Sequence, residues 1–431
     1  MRSLKTTIVL SLFCLSLSLL THSRAGAVIN VPAGGDLQAA INSAQPGDTI
    51  QLGGKVICSC VLPSKSGSTY IMIQGGAVES RNSTESAFNA APGSHHWQLS
   101  GVDISPNPNG QAYDIVKIGD RDFTVDQIPH DFIIENSKIH GAPTQEVQRG
   151  IGLNGATITV RKNQIYNIHG QGYDTQGVAG FWGPGPYSIT DNDIQAAGEN
   201  ILFGGSDPKI AGMIPSNIEI RRNHVWKPLS WKVGDPSYAG YHWTVKNLLE
   251  LKNAKNVTID GNVFENNWVD GQSGIPILFT VRNQDCTAPW STVQNVTFTN
   301  NTVKGGVGAL NFLGKDNEAE PAYGKCTNTA TQGSVRGTDV KVANNVFDVL
   351  AGNPFLTLNG FYNVTLDRNT HLQKNNLTTL YGEQSLGFKY TNNLTSDNDY
   401  GIYGEGAIPG VPALNKMTPG WVFSGNVVRR S

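Results

Sequence analysis

The chain has 431 residues with 32 Lys+Arg against 34 Asp+Glu, a formal net charge of -2, 15% charged and 39% hydrophobic residues, and 49 glycines. The charged fraction lies well under the soluble average of about 25%, which argues against disorder, supercharged surfaces and nucleic-acid binding by bulk charge. Four methionines among abundant Gly, Asn, Thr and Val point away from a helical bundle and towards many short strands joined by tight turns.

At the N-terminus, Arg2 and Lys5 precede an apolar run from Ile8 to Leu20, and Ala25-Gly26-Ala27 supplies a small-x-small cleavage pattern. This is the layout of a signal peptide over residues 1–27. The run is too short to span a bilayer comfortably, and no later apolar run is long enough. The expectation is export and cleavage, giving a secreted or periplasmic chain without a membrane span. Residues 28–431 then read as a single domain, expected to be a monomer.

Asp36 can cap a short helix over 36–44, with Leu37, Ala40, Ile41 and Ala44 as its apolar stripe and Pro46-Gly47 as its stop. Without Cys14 of the leader, four cysteines remain: Cys58, Cys60, Cys286 and Cys326. An even set in an exported chain suits disulfides, and four thiols allow three pairings. Cys286 with Cys326 would clip a loop, whereas a Cys58–Cys60 bond would be strained. Zinc is the rival reading, but the chain lacks a Cys-x-x-Cys spacing or paired histidines.

From residue 132 onward a short phrase recurs. It reads Ile158-Thr159-Val160-Arg161-Lys162-Asn163-Gln164-Ile165, then Ile218-Glu219-Ile220-Arg221-Arg222-Asn223-His224-Val225, then Val257-Thr258-Ile259-Asp260-Gly261-Asn262-Val263-Phe264. Its landmark asparagines are Asn136, Asn163, Asn192, Asn223, Asn262, Asn301, Asn345, Asn369, Asn393 and Asn426. The apolar/polar alternation is that of strands with one buried face. Each Asn is expected to take the left-handed turn between two strands and to bond its amide to the next rung. A further strand per coil can be traced at Tyr113–Ile118, Asn200–Phe203, Asn247–Lys252, Ile277–Val281, Ala309–Phe312 and Phe355–Leu358. Short strands repeated without helical crossovers describe a solenoid of parallel sheets. The sequons at Asn256, Asn295 and Asn363 are by-products of the Asn-Val-Thr that opens a strand; those at Asn376 and Asn393 are discounted with them.

Through these Asn-centred repeats and the 36–50 segment, nearly the whole mature chain resembles the right-handed parallel β-helix proteins of the pectate-lyase-like superfamily. The resemblance implies an all-β solenoid whose N-terminal helix caps the open end of the first coil. It also implies activity on a polysaccharide, in much of that superfamily by a lyase reaction. Neither the calcium-site Asp pattern nor the arginine motif of the well-known pectate lyases is present, nor are the paired aspartates and Gly-His-Gly of polygalacturonases; His169-Gly170-Gln171-Gly172 is a partial echo.

Between Asn192 and Asn345 the coils lengthen, with loop inserts expected within 226–246, 265–295 and 314–338. These hold most of the aromatic and charged residues and make the groove candidate. Trp231, Tyr241, Trp243, Lys246 and Trp268 suit an anionic glycan, since aromatic planes pack on sugar rings and cations pair with carboxylates; packing of the loops onto the solenoid is the alternative. Alternation sends Leu249 and Leu251 inward and Glu250 and Lys252 outward. Aligning Glu250 with Thr280 places Lys252 beside Arg282, with Glu250 or Asp285 as the acidic partner. For β-elimination, Arg282 would neutralise a uronate carboxylate, and Lys252 or His242 would take the neighbouring proton. No cofactor is required outright; Ca²⁺, if used, has Glu199, Asp207 and Glu250 as scattered candidate ligands. The alternatives are a glycoside hydrolase with paired carboxylates, such as Glu199 and Glu250, and a non-catalytic glycan-binding surface protein.

Overall fold

The structure, a computed structural model, describes residues 25–320, 324–350, 352–371, 376–398 and 400–429. The leader expected before Val28 lies, up to residue 24, outside the described residues.

Alternation along each phrase puts every second side chain inside: Ile218 and Ile220 are buried while Glu219 is exposed. A strand with one apolar face must be covered, and the chain does this by coiling on itself. Each coil gives one strand to each of three parallel sheets, of 14, 13 and 12 strands among the described residues. The result is a right-handed parallel β-helix. The 14-stranded sheet runs from Val28–Val31 to Val422–Ser424, the 13-stranded from Lys55–Ile57 to Val427–Arg429, and the 12-stranded from Cys60–Leu62 to Ile402–Gly404. All the second strands traced in the sequence belong to the 12-stranded sheet. The interior is a continuous apolar column in which like residues stack from rung to rung; Phe264, Phe298 and Phe347 lie with ring centroids 5.8 and 6.3 Å apart.

The asparagines form a buried ladder between the 14- and 13-stranded sheets. Asn163, Asn192, Asn223, Asn262, Asn301, Asn345, Asn369 and Asn393 each donate a backbone N–H to the Oδ1 of the next in the series, at 2.8–3.1 Å, ending on Asn426. Their Nδ2 groups donate to the same oxygens. Two expectations are corrected here. The left-handed residue is the one before the ladder Asn, as at Lys162 (φ 56), Asp191 (φ 59) and Arg222 (φ 52), because the ladder amide must point inward to be shared. Asn136 likewise holds the left-handed turn (φ 51) and is exposed, and Ser137 stands at the foot of the ladder, its N–H bonded to Asn163 Oδ1 at 3.0 Å. A second left-handed row opens the strands of the 14-stranded sheet and includes the discounted sequon residues Asn256, Asn295 and Asn363 (φ 54, 55 and 52).

The capping helix α1 spans Leu37–Ser43; Asp36 accepts from the Ala39 N–H, and Leu37, Ala40 and Ile41 are buried. A second helix, α2 (Val411–Met417), packs Ala413, Leu414 and Met417 onto the last coils and was not read in the sequence. Its Pro and short apolar stripe resemble loop composition. Both disulfides form: Cys286–Cys326, as expected, and Cys58–Cys60, with Cα atoms 5.1 Å apart. The zinc reading of the four thiols falls with them. The 265–295 insert is in fact two, separated by the strand Ile277–Thr280.

Candidate functional site

Most of the chemistry gathers on the outer face of the 12-stranded sheet. The strands Gln176–Gly180, Glu199–Phe203, Leu249–Leu251 and Ile277–Thr280 are buried at every residue, so their outward side chains are covered as well. The inserts do the covering, and the polar groups beneath must therefore satisfy one another.

Asp114, Arg149, Gln176 and Glu199 occupy one row on successive rungs. Arg149 Nη1 donates to Asp114 Oδ1 at 2.5 Å and Nη2 to Gln176 Oε1 at 2.9 Å, and Gln176 Nε2 donates to Glu199 Oε2 at 2.9 Å. Glu199 has no solvent exposure. Its other oxygen lies 2.6 Å from Lys246 Nζ, which also donates to Asp174 Oδ2 at 2.7 Å. Burial pushes the Glu199 carboxyl up, but Lys246 and then Lys252 outweigh burial and hold it below the ordinary glutamate range. Burial likewise pulls the Lys246 ammonium down, and Glu199 and Asp174 more than reverse it, holding it above the ordinary lysine range.

Glu250 stands nearby. Its Oε1 accepts from Thr280 Oγ1 at 2.9 Å, its Oε2 accepts from Asn247 Nδ2 at 3.3 Å, and Lys252 Nζ is 3.6 Å from Oε2. Lys252 is thus within the field of two buried carboxylates while making, among the described residues, one long ion pair. Its side chain keeps 13% exposure. Below this layer Lys227 is fully buried, its Nζ ringed by the carbonyl oxygens of Ala196, Ala197, Gly198 and Asn247 and by Asn200 Oδ1 at 2.7–3.2 Å. Burial drives this ammonium well below the ordinary lysine value, with Glu199 pulling the other way. Lys227 ties the 227–248 insert to the solenoid and has no route to a substrate.

The expected site residues divide sharply. Lys246, Glu250, Lys252 and Glu199 come together. Arg282 does not join them as foreseen: the register pairs Glu250 with Leu278, two residues from the expected alignment. The Arg282 N–H still donates to the Lys252 carbonyl at 3.0 Å, but its guanidinium turns to Asp316, buried and 3.0 Å away, rather than to Glu250 or Asp285. Asp285 pairs with Arg121. His242 sits on the outside of its insert, 2.5 Å from Asp270, and no hydrogen bond or ion pair among the described residues joins it to Lys252 or Glu250.

The three tryptophans are a correction. Trp231, Trp243 and Trp268 are buried in one cluster with Ala197 and Val245; the His169 ring stacks on Trp243 at 3.9 Å and meets Trp231 edge-on at 5.2 Å. Burial lowers this imidazole to about 4. They hold the inserts down; Tyr241, stacked at 5.5 Å on Trp243, is the exposed ring of the set. Asp207 is also structural: its carboxylate accepts from the N–H groups of Gln284, Asp285 and Thr287 at 2.8–2.9 Å, knotting the 281–292 loop. Glu199, Asp207 and Glu250 do not converge on one point, and each spends its oxygens on protein donors.

Asp174, Arg149 and Gln176 were missed. Asp174 follows the His169–Gly172 segment noted above, and Arg149, Gln176 and Glu199 form a row visible only once the register is known.

No protein-family model matches the sequence, and no curated protein matches it. Solved structures do. The catalytic unit of a thermostable GH87 α-1,3-glucanase from Streptomyces thermodiastaticus aligns with 94% of this chain and 70% of its own at TM-score 0.58 and 12% identity. The Agl-KA catalytic domain aligns at TM-score 0.46 and 13% identity, covering 94% of this chain and 62% of its own. The pectate lyase Pel9A aligns at TM-score 0.44 and 13% identity, covering 77% and 80%. At such identities the first of these supports the fold alone.

Proposed function

We propose that this β-helix acts on an acidic, uronate-containing polysaccharide and cleaves it by β-elimination at the covered face of the 12-stranded sheet. The observation that carries the reading is Lys252, a side chain on the outer face that keeps 13% exposure and, among the described residues, makes one long ion pair, at 3.6 Å. As the free amine it takes the proton from the carbon next to the uronate carboxylate. The electron pair forms the new double bond, and the bond to the 4-linked oxygen breaks, that oxygen taking its proton from water. Arg282 adjoins Lys252 through its backbone while its Nη1 is held by Asp316; this reading gives the remaining N–H donors of its fork the task of neutralising the carboxylate. Lys246 is a positioning group, already matched by Glu199 and Asp174.

Hydrolysis is the second reading, because Asp174 and Glu199 both touch Lys246 Nζ and so bring two carboxylates close together. The same ammonium keeps Glu199 ionised, however, and a hydrolase needs one of its pair protonated. Export of the protein belongs to this proposal as well, since a polysaccharide substrate lies outside the cell.

The test is incubation of the protein with uronate-containing and neutral polysaccharides, each with added Ca²⁺ and with chelator. Ultraviolet absorbance of unsaturated products and reducing ends are followed together. Unsaturated products that vanish in Lys252→Ala support the proposal; reducing ends without them would move the chemistry to Asp174 and Glu199. Silence in both assays would leave glycan binding without cleavage.

A further inference from the structure

A separate cluster lies on the outer face of the 14-stranded sheet, on the neighbouring strands His95–Ser100 and His130–Glu135, where His130 is the register partner of His95. His96 and Asp131 both have left-handed backbone, each at φ 56. This breaks the alternation, so two consecutive side chains stay outside on each rung: His95 with His96, and His130 with Asp131. Later coils repeat the kink and fill the outward pair with Ser216-Asn217, Lys255-Asn256 or Gln294-Asn295. Among the described residues, these two neighbouring rungs alone place four imidazole or carboxylate groups in these four positions.

Ligand atoms of His96, His130 and Asp131 all lie within 4.8 Å of one another. His96 Nε2 is 3.9 Å from Asp131 Oδ2, and His130 Nδ1 is 2.7 Å from the same oxygen. Four ligands at about 2.0–2.1 Å from one tetrahedral ion are roughly 3.3 Å apart, so small side-chain rotations close the set. The second nitrogen of His96 is already engaged: Nδ1 lies 2.7 Å from His95 Nδ1, the kind of outer partner that orients a metal-bound imidazole. His95 in turn stacks on His130 at 4.8 Å, and Tyr70 sets its ring edge against His96 at 5.1 Å.

We propose that His96, His130 and Asp131 form a surface binding site for a divalent transition metal, with His95 as the positioning residue and water completing the coordination. Two imidazoles and one carboxylate suit Zn²⁺ or Cu²⁺ and do not suit Ca²⁺ or Mg²⁺. The site joins two rungs of one sheet and shares no residue with the Lys252 cluster, so it stands or falls independently of the polysaccharide reading.

Tag-free protein, stripped with chelator, is titrated with ZnCl₂ by calorimetry. One equivalent is expected to bind, with affinity at least ten-fold weaker in His96→Ala and in His130→Gln, and with a raised Tm in the parent protein alone. Circular dichroism checks that each variant is folded. With Cu²⁺ as the probe, electron paramagnetic resonance should show coupling to two imidazole nitrogens, one of them lost in His96→Ala. Absence of a binding heat, or equal affinity and an unchanged copper spectrum in the variants, overturns the site.

Discussion

Lys246 Nζ lies 2.6 Å from the Oε1 of Glu199, a carboxylate with no solvent exposure, and the two are reached from different coils. Removing one member of such a pair leaves the other buried without compensation. Lys246→Met is therefore expected to cost about 3–5 kcal/mol, measured by urea unfolding. Adding Glu199→Gln should restore most of the loss. A double variant no better than the single one would show that the pair is not the unit of stability.

Lys252→Arg keeps the positive charge but cannot lend a free amine near neutral pH. If Lys252 takes the proton, the rate should fall by about 10²-fold or more while thermal unfolding stays close to the parent. A variant retaining near-parental rate would place the base elsewhere.

The ladder can be tested at Asn262. Its Oδ1 accepts the N–H and the Nδ2 of Asn223, and its own Nδ2 donates to Asn301 and to the Ile220 carbonyl. Asn262→Ala leaves several buried polar groups unmatched, at a cost of about 3 kcal/mol or more. Calorimetric unfolding of the variant gives the number. A change under about 1 kcal/mol would mean that water takes over these partners.

The buried imidazoles set a pH limit. His169 falls from 6.5 to about 4 and His371 to about 3, both by burial. Between these values and 6.5 the unfolded chain binds more protons, so stability is fully present above pH 6.5 and is lost as pH falls towards 4 and below. His169 alone accounts for about 3 kcal/mol of that loss. His169→Phe, which keeps a ring against Trp243, should flatten the pH dependence over this range, and equal slopes in parent and variant would dismiss the assignment.

Much of the architecture was legible in the sequence because the solenoid repeats one local rule. Ile218, Ile220 and Asn223 state the alternation, the turn and the ladder, and the same rule holds at Val257, Ile259 and Asn262. The site was less legible for two physical reasons. Register across a long insert is set by the covering loops, and the expected Glu250–Thr280 alignment slipped by two residues against Leu278. The tryptophans could equally stack on a sugar or seal a loop; Trp231, Trp243 and Trp268 do the second, two of them against a histidine that composition does not connect to them. Lys246, Glu250 and Lys252 were found because each sits close to a strand whose inward residues were unambiguous.

The ladder keeps nearly the same bond lengths while the chain between successive asparagines varies from 24 residues, Asn345 to Asn369, to 44, Asn301 to Asn345. Loop length and spine geometry are therefore uncoupled. The molecule is a rack whose shelves hold a fixed spacing whatever is placed on them: the outer parts of the inserts, such as the largely exposed 232–241, can be lengthened or shortened, provided that an asparagine returns to the column. New specificities can be installed by grafting at the rim without redesigning the frame.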